Sequence, residues 1–267
     1  MKKGQTSKRG GYEDILFPMQ VLNITQGDNV GTHKGTYATD NAGKDTGIDP
    51  IFAPVTMTLV AHDSAKNGNA VFFQSDNKVR FADGTIDYLT CMFIHDNYIA
   101  DIINVKHFKQ GQEFGDEGTA GYAIGNHSHM EFAKGKFTHM YDQNKYGVYH
   151  LPNNIPIEKA CFMDGTTMKC GKADWKYLKD VKVSESKCPF KTSGTVEALY
   201  DKIRVRTSPS TKKGDTGLVY NKGMILNYSS VVTGDGWYWA KYKRSNGGTG
   251  YCALCKTNGS SKYWKQV

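Results

Sequence analysis

The chain has 267 residues, of which 39% are hydrophobic and 22% charged, and it carries a formal net charge of +8. That length suits one large domain or two smaller ones with real cores, and the lack of any run of roughly 20 apolar residues argues against a membrane-spanning helix. The charge is uneven: from Phe190 onward there are 13 Lys and Arg against 4 Asp and Glu, while the first 189 residues carry 21 bases and 22 acids. The basic excess therefore sits in the last 78 residues, which favours an anionic partner for that part or serves only its solubility.

The N-terminal stretch MKKGQTSKRGGYEDILF is basic and lacks the apolar centre of a secretory signal. With 29 glycines, 12% aromatics and few long apolar periods, the composition favours strands and turns over helices. GTHKGTYATD (31–40) reads as a surface loop entering a strand, with His33 and Asp40 among Gly and Thr. IFAPVTMTLVAHD (51–63), NAVFFQS (69–75), YLTCMFIHD (88–96) and YAIGNHSHMEFA (122–133) follow as strand-like runs separated by Gly, Asn and Asp turns. His95 closes an apolar strand, where a lone histidine is usually satisfied or solvated. GNHSHMEF (125–132) places His127 and His129 on one face of a strand, about 7 Å apart. Such a pair is either a metal ligand beside a proton handler or two polar residues on a wet face. Glu131 shares that face and either hydrogen-bonds a ligand or is simply solvated. His62, His107, His139 and His150 show no partner pattern and read as surface or packing residues.

The stretch 166–191 is lysine-rich and reads as a linker, with a short helix expected for ADWKYLKDV. A second β-rich unit over 192–267 alternates short strands with turns and makes a small barrel. Trp237 and Trp239 share one strand face and Tyr238 takes the other, so one of those faces is core. Cys91, Cys161, Cys170, Cys188, Cys252 and Cys255 lack the paired spacing of a four-cysteine zinc site. Small buried thiols are their expected role, with a Cys161–Cys170 disulfide as an open alternative.

GTHKGTYATD, APVTMTLVAH, YLTCMFIHD, KQGQEFGDEG and GNHSHMEFAKG fall in the order found in lysostaphin/LytM-type zinc metallopeptidases, and the first domain (1–165) resembles that family over roughly residues 20–137. The resemblance implies an all-β fold with an antiparallel sheet of the duplicated hybrid motif and hydrolysis of peptide bonds in peptidoglycan. It implies Zn2+ held by His33, Asp40 and His129, with His95 and His127 as the two catalytic histidines. The family usually leaves three residues between its first His and its Asp; here six intervene. A regular strand would then put the pair on opposite faces, so the segment between them must loop, as Gly35 permits. Asp45 and Asp49 stand as fallback ligands.

KIRVRTSPST, Gly-Trp-Tyr and the closing Gly-Thr-Gly-Tyr resemble a bacterial SH3-like cell-wall-binding domain. The two resemblances together imply the layout of a bacteriophage endolysin. Such an enzyme is made in the host cytoplasm without a signal peptide and reaches the wall after phage-induced release. The expected partner is bacterial peptidoglycan, as peptide substrate for the first domain and as wall ligand for the second. The chain is expected to be a monomer that neither inserts into a membrane nor binds nucleic acid, since the tail lacks a recognition helix or RNP-like motif. The alternative is a non-catalytic wall-binding or scaffold protein on a degenerate peptidase fold.

Overall fold

The computed structural model describes residues 1–171, 174–180, 188–257 and 261–267. Two compact units partition the chain, Met1–Lys182 and Val183–Val267. Both are built from strands. The helices among the described residues are short, and none is long and apolar enough to cross a membrane. The protein is thus an all-β protein, as the composition and turn spacing imply.

The first unit is organised on a nine-stranded sheet. Its strands are β1 (Val21–Gln26), β2 (Thr39–Asn41), β4 (Met57–His62), β5 (Val71–Ser75), β6 (Leu89–Ile94), β7 (His107–Phe108), β9 (Ser128–Lys134), β10 (Asn154–Ile155) and β11 (Thr167–Cys170); β3 (Pro50–Phe52) and β8 (Glu113–Asp116) pair separately. Across the sheet the order is β7-β4-β5-β6-β9-β2-β1-β11, with β10 also bonded to β9. These pairings are antiparallel except β11 with β1, which run parallel.

Side-chain alternation divides the sheet into two faces. Val71 and Phe73 of β5, Cys91 and Phe93 of β6, and Met130 and Phe132 of β9 enter the main core with Phe108 and Phe114. There Phe73, Phe93 and Phe114 meet edge to face, with centroids 5.0 Å apart for both Phe73–Phe114 and Phe93–Phe114. Residues that alternate with them, Phe72, Met92 and Ala133, form a smaller cluster on the opposite face with Leu151. His129 and Glu131 belong by alternation to this second face, because their register partners on β6 are Ile94 and Met92. The sheet thus isolates the polar site from the aromatic core by one backbone thickness.

Residues 167–171 and 174–180, read from the sequence as linker, belong to the first unit: β11 pairs with β1, and Trp175 is buried against Phe17 at 5.7 Å. Instead of the expected helix there is a 3-10 turn at Leu178–Asp180, while residues 172, 173 and 181 of that stretch lie outside the described residues. The propensity of a nine-residue stretch is too weak a driver when an indole finds a core site alongside it. All six cysteines are free. Cys161 is buried and Cys170 exposed on β11, so the alternative disulfide does not form.

The second unit has two antiparallel sheets. One orders β15 (Ile225–Tyr228), β12 (Gly194–Ala198) and β19 (Trp264–Gln266). The other orders β14 (Asp215–Tyr220), β13 (Ile203–Arg206), β18 (Thr249–Lys256), β17 (Trp237–Lys243) and β16 (Ser230–Gly234). Their shared core contains Val196, Val205, Leu226, Leu254 and Trp264. Tyr238 joins this core, while Trp237 and Trp239 line a groove, the division of faces expected from alternation.

Candidate metal centre

Five sequence-singled side chains meet on the second face of the first sheet. His129 on β9 lies directly across the ladder from Asp40 on β2, which brings their side chains into contact. His129 Nδ1 is 3.0 Å from Asp40 Oδ1. His33 ends a 3-10 turn at Gly31–His33, and residues 34–38 loop back to β2, with Gly35 at φ 78°. The seven-residue spacing is thus absorbed by a turn and a loop, and His33 Nε2 comes to 3.3 Å from the same Asp40 oxygen. Ligand atoms of His33, Asp40 and His129 all lie within 4.8 Å of one another, forming the one such group among the described residues. Asp45 and Asp49 fall outside it; the Asp49 carboxylate accepts the Lys44 amide instead.

His127 precedes β9 and points its Nε2 at Asp40 Oδ1 from 3.8 Å. His95 follows Ile94, the last residue of β6. A continued strand would send it to the aromatic face, since Ile94 shares the face of His129. Its backbone instead adopts φ 89°, a strained conformation for a histidine, and its ring lies 4.5 Å from that of His127. Glycines make room for this bend. A Cβ on Gly118 would lie 2.3 Å from the His95 carbonyl oxygen, and one on Gly68 would lie 2.5 Å from Ile94 Cγ2. The bend is held by the His95 amide donating to Gly68 O at 2.8 Å.

Each histidine spends one ring proton on the protein. The Nδ1 atoms of His33, His95 and His127 lie 3.1, 2.7 and 3.0 Å from the carbonyls of Gly27, Ala120 and Gly125. A carbonyl only accepts, so Nδ1 carries the hydrogen and, in the neutral ring, Nε2 presents its lone pair. His129 is reversed: its Nε2 donates to Glu131 Oε1 at 3.2 Å, leaving Nδ1 toward Asp40. The result is imidazole lone pairs and a carboxylate oxygen converging with nothing but acceptors between them. With every ring neutral, such an arrangement calls for a cation or an added proton between its members. Burial alone would raise the Asp40 carboxyl, but hydrogen bonds from His129 and His33 outweigh it and hold the group well below the usual carboxylate range. Burial alone would lower His129, yet Asp40 and Glu131 outweigh it and lift the ring to about 9. With no metal bound, a second proton on His129 takes the cation's place. For His95, burial, helped by His127 and His129, pushes the ring down to about 4, so it stays neutral at ordinary pH.

Two nitrogens and one carboxylate oxygen suit zinc and leave a fourth position open. The side chains of His33, Asp40 and His129 are only 3, 13 and 14% exposed, so the centre is dry with one edge reaching solvent. Tyr122 and Ile124, 87 and 92% exposed, stand on the loop whose Ala120 and Gly125 carbonyls hold His95 and His127.

Three supporting residues carry no signal in the sequence. Gln26 Nε2 donates to Asp40 Oδ2 at 3.3 Å and to Thr32 Oγ1 at 2.6 Å, tying the carboxylate to the His33 turn. Asn154 Nδ2 contacts Glu131 Oε2 and Thr36 Oγ1, each at 2.6 Å. The Leu151 amide also donates to Glu131 Oε2, at 2.8 Å. Glu131 is thus buried and fully engaged rather than solvated. The remaining histidines lie outside the centre, His107 and His139 bonding surface carboxylates of Asp76 and Asp142 at 2.8 Å.

No protein-family model matches the chain. Morphogenesis protein 1 of Bacillus phage B103 is 37% identical to it over 135 residues, 50% of this chain and 34% of that protein; the chain therefore spans about a third of the length of this relative. Among solved structures the chain is similar to the antimicrobial peptidase lysostaphin from Staphylococcus simulans, at 18% identity and a TM-score of 0.34 over 95% of each chain. It is also similar to a zinc-containing peptidase from Vibrio cholerae, at 18% identity and a TM-score of 0.34, over 45% of this chain and 39% of that one.

Proposed function

We propose that the protein is a zinc-dependent peptidase of the lysostaphin/LytM type that hydrolyses peptide bonds in the stem or bridge peptides of bacterial peptidoglycan. In this reading it serves as a phage endolysin and its second unit holds it on the wall. The observation that carries the reading is the convergence of His33 Nε2, Asp40 Oδ1 and His129 Nδ1 beside two histidines whose tautomers are already set. His33, Asp40 and His129 are the ligands. A divalent cation there supplies Lewis-acid polarisation of the scissile carbonyl and acidifies the attacking water.

The chain's own residues do the rest. His127 Nε2, a lone-pair acceptor beside the centre, takes the water's proton and returns it to the departing amine. His95, 4.5 Å from His127 ring to ring and likewise a lone-pair acceptor at Nε2, orients the attacking water beside it. Glu131, through His129 Nε2, fixes the ligand's orientation and raises its basicity. The exposed Tyr122 and Ile124 offer apolar contact to a substrate chain laid across the rim. A degenerate, non-catalytic scaffold would have no need to keep five preset side chains, one of them on a strained backbone.

The test is digestion of several defined peptidoglycans, with fragments identified by mass spectrometry, in zinc, after chelation, and after zinc is restored. New amino termini that appear with zinc and vanish with chelator are expected. Cleavage that survives exhaustive chelation, with no zinc found by elemental analysis, would overturn the reading.

A further inference from the structure

The second unit carries a groove of about 320 Å³, within the range of small-ligand clefts. Its floor comes from Ile203 on β13, Ala253 on β18 and Trp239 on β17. These are three consecutive inner strands of the five-stranded sheet, and neither edge strand of that sheet lines the groove. A peptide therefore cannot be held here by adding a strand; recognition falls to side chains alone.

Those side chains are of two kinds. Trp237 and Tyr263 stack with centroids 5.2 Å apart and planes 16° from parallel, and Tyr200, 58% exposed, meets Tyr263 edge-on. Trp239 beneath is fixed by its indole nitrogen donating to Gly234 O at 2.8 Å. The other wall holds Lys202, Arg204 and Arg206 against one carboxylate, Asp201. Arg204 is paired with Asp215 at 2.5 Å, whereas Arg206 Nη1 donates to the Lys213 carbonyl at 3.3 Å and acts on Asp215 only through its charge. Flat rings beside guanidinium forks suit a ligand with ring faces and oxyanions. The charge is not confined to the groove: residues 190–267 carry 13 bases against 4 acids. A surface positive well beyond one cleft matches a partner whose charges repeat along a chain.

We propose that this groove binds a wall glycan of sugar units joined by phosphodiesters, with a sugar ring on Trp237 and a phosphate at Lys202 and Arg206. The identification of a wall polymer rests on the proposed function; the anionic, ring-bearing chemistry rests on the groove.

The test is co-sedimentation of the full chain with purified walls, before and after their phosphodiester polymer is stripped by cold acid, alongside peptide hydrolysis by the wild type. Stripping should weaken binding at least tenfold, and so should Arg206→Glu and Trp237→Ala, with circular dichroism reporting that each variant is folded. Lys243→Glu, the same charge change outside the groove, should cost much less. Equal binding to stripped walls, or an equal loss in Lys243→Glu and Arg206→Glu, overturns the proposal. So does tighter binding of a single-stranded oligonucleotide than of the released polymer. Absent hydrolysis with intact polymer binding would sink the peptidase reading and leave this one standing.

Discussion

The two units handle polar groups in opposite ways. In the first, five candidate site side chains are largely withdrawn from water, and every histidine among them has one ring nitrogen committed to a named acceptor. In the second, the candidate side chains are aromatic rings and cations left half or fully open, and only the floor is fixed. Preorganisation suits chemistry, where atoms must be placed before charge develops. An open, charged and ring-lined surface suits holding a long flexible chain, where geometry is forgiving and field matters more.

That contrast is broken most severely by His129→Ala. It removes the residue bonded to both Asp40 and Glu131, and hydrolysis should fall by several orders of magnitude with loss of bound zinc; a variant that retains both would remove His129 from the ligand set. His127→Ala should keep the metal but lose about 10²- to 10⁴-fold in kcat, read by steady-state kinetics beside elemental analysis. An unaltered kcat would clear it of any part in catalysis. Glu131→Gln keeps the shape but weakens the grip on His129, and zinc affinity should drop about 10- to 100-fold in competition with a chelator. No change there would mean that Asp40 alone orients the ring.

The smallest effect sharpens the contrast from the stability side. Glu117 is 1% exposed, and its Oε2 has no hydrogen-bond partner among the described residues. Burial, followed by the charges of Asp49, Asp45 and Asp116, pushes its carboxyl up from 4.5 to about 7. Between these pH values the folded state keeps a proton that the unfolded state releases, so stability falls as pH rises through the window. Glu117→Gln should therefore stabilise the first unit by about 1–3 kcal/mol at pH 8 and hardly at all at pH 4. Urea melts at the two pH values decide it, and a gain that does not grow with pH would contradict the assignment.

Much of this was legible in the sequence because it depends on short-range order. The alternation of GNHSHMEF places His129 and Glu131 on one face, and the turn-forming residues of GTHKGTYATD allow His33 and Asp40 to meet despite their spacing. What stayed hidden depends on register between distant strands. Nothing around His95 in the sequence announces a positive φ, because the room for it comes from Gly68 and Gly118, far away along the chain. Asn154 and Gln26 read as ordinary polar residues until β10 and β1 bring them beside Glu131 and Asp40. The strand Thr167–Cys170 and the burial of Trp175 stayed hidden for the same reason: a lysine-rich composition does not show that Trp175 fills a gap beside Phe17.

The Asn154 amide joins Glu131 on one strand to Thr36 on the loop behind His33, so under the proposed function the peripheral segment 151–155 would be coupled to metal occupancy. A cation bound at His33, Asp40 and His129 would tighten both ends of that clamp, and by mass action its binding free energy would be shared with this stretch. Stripping the ion should accordingly speed amide exchange at Leu151 and its neighbours before the aromatic core responds.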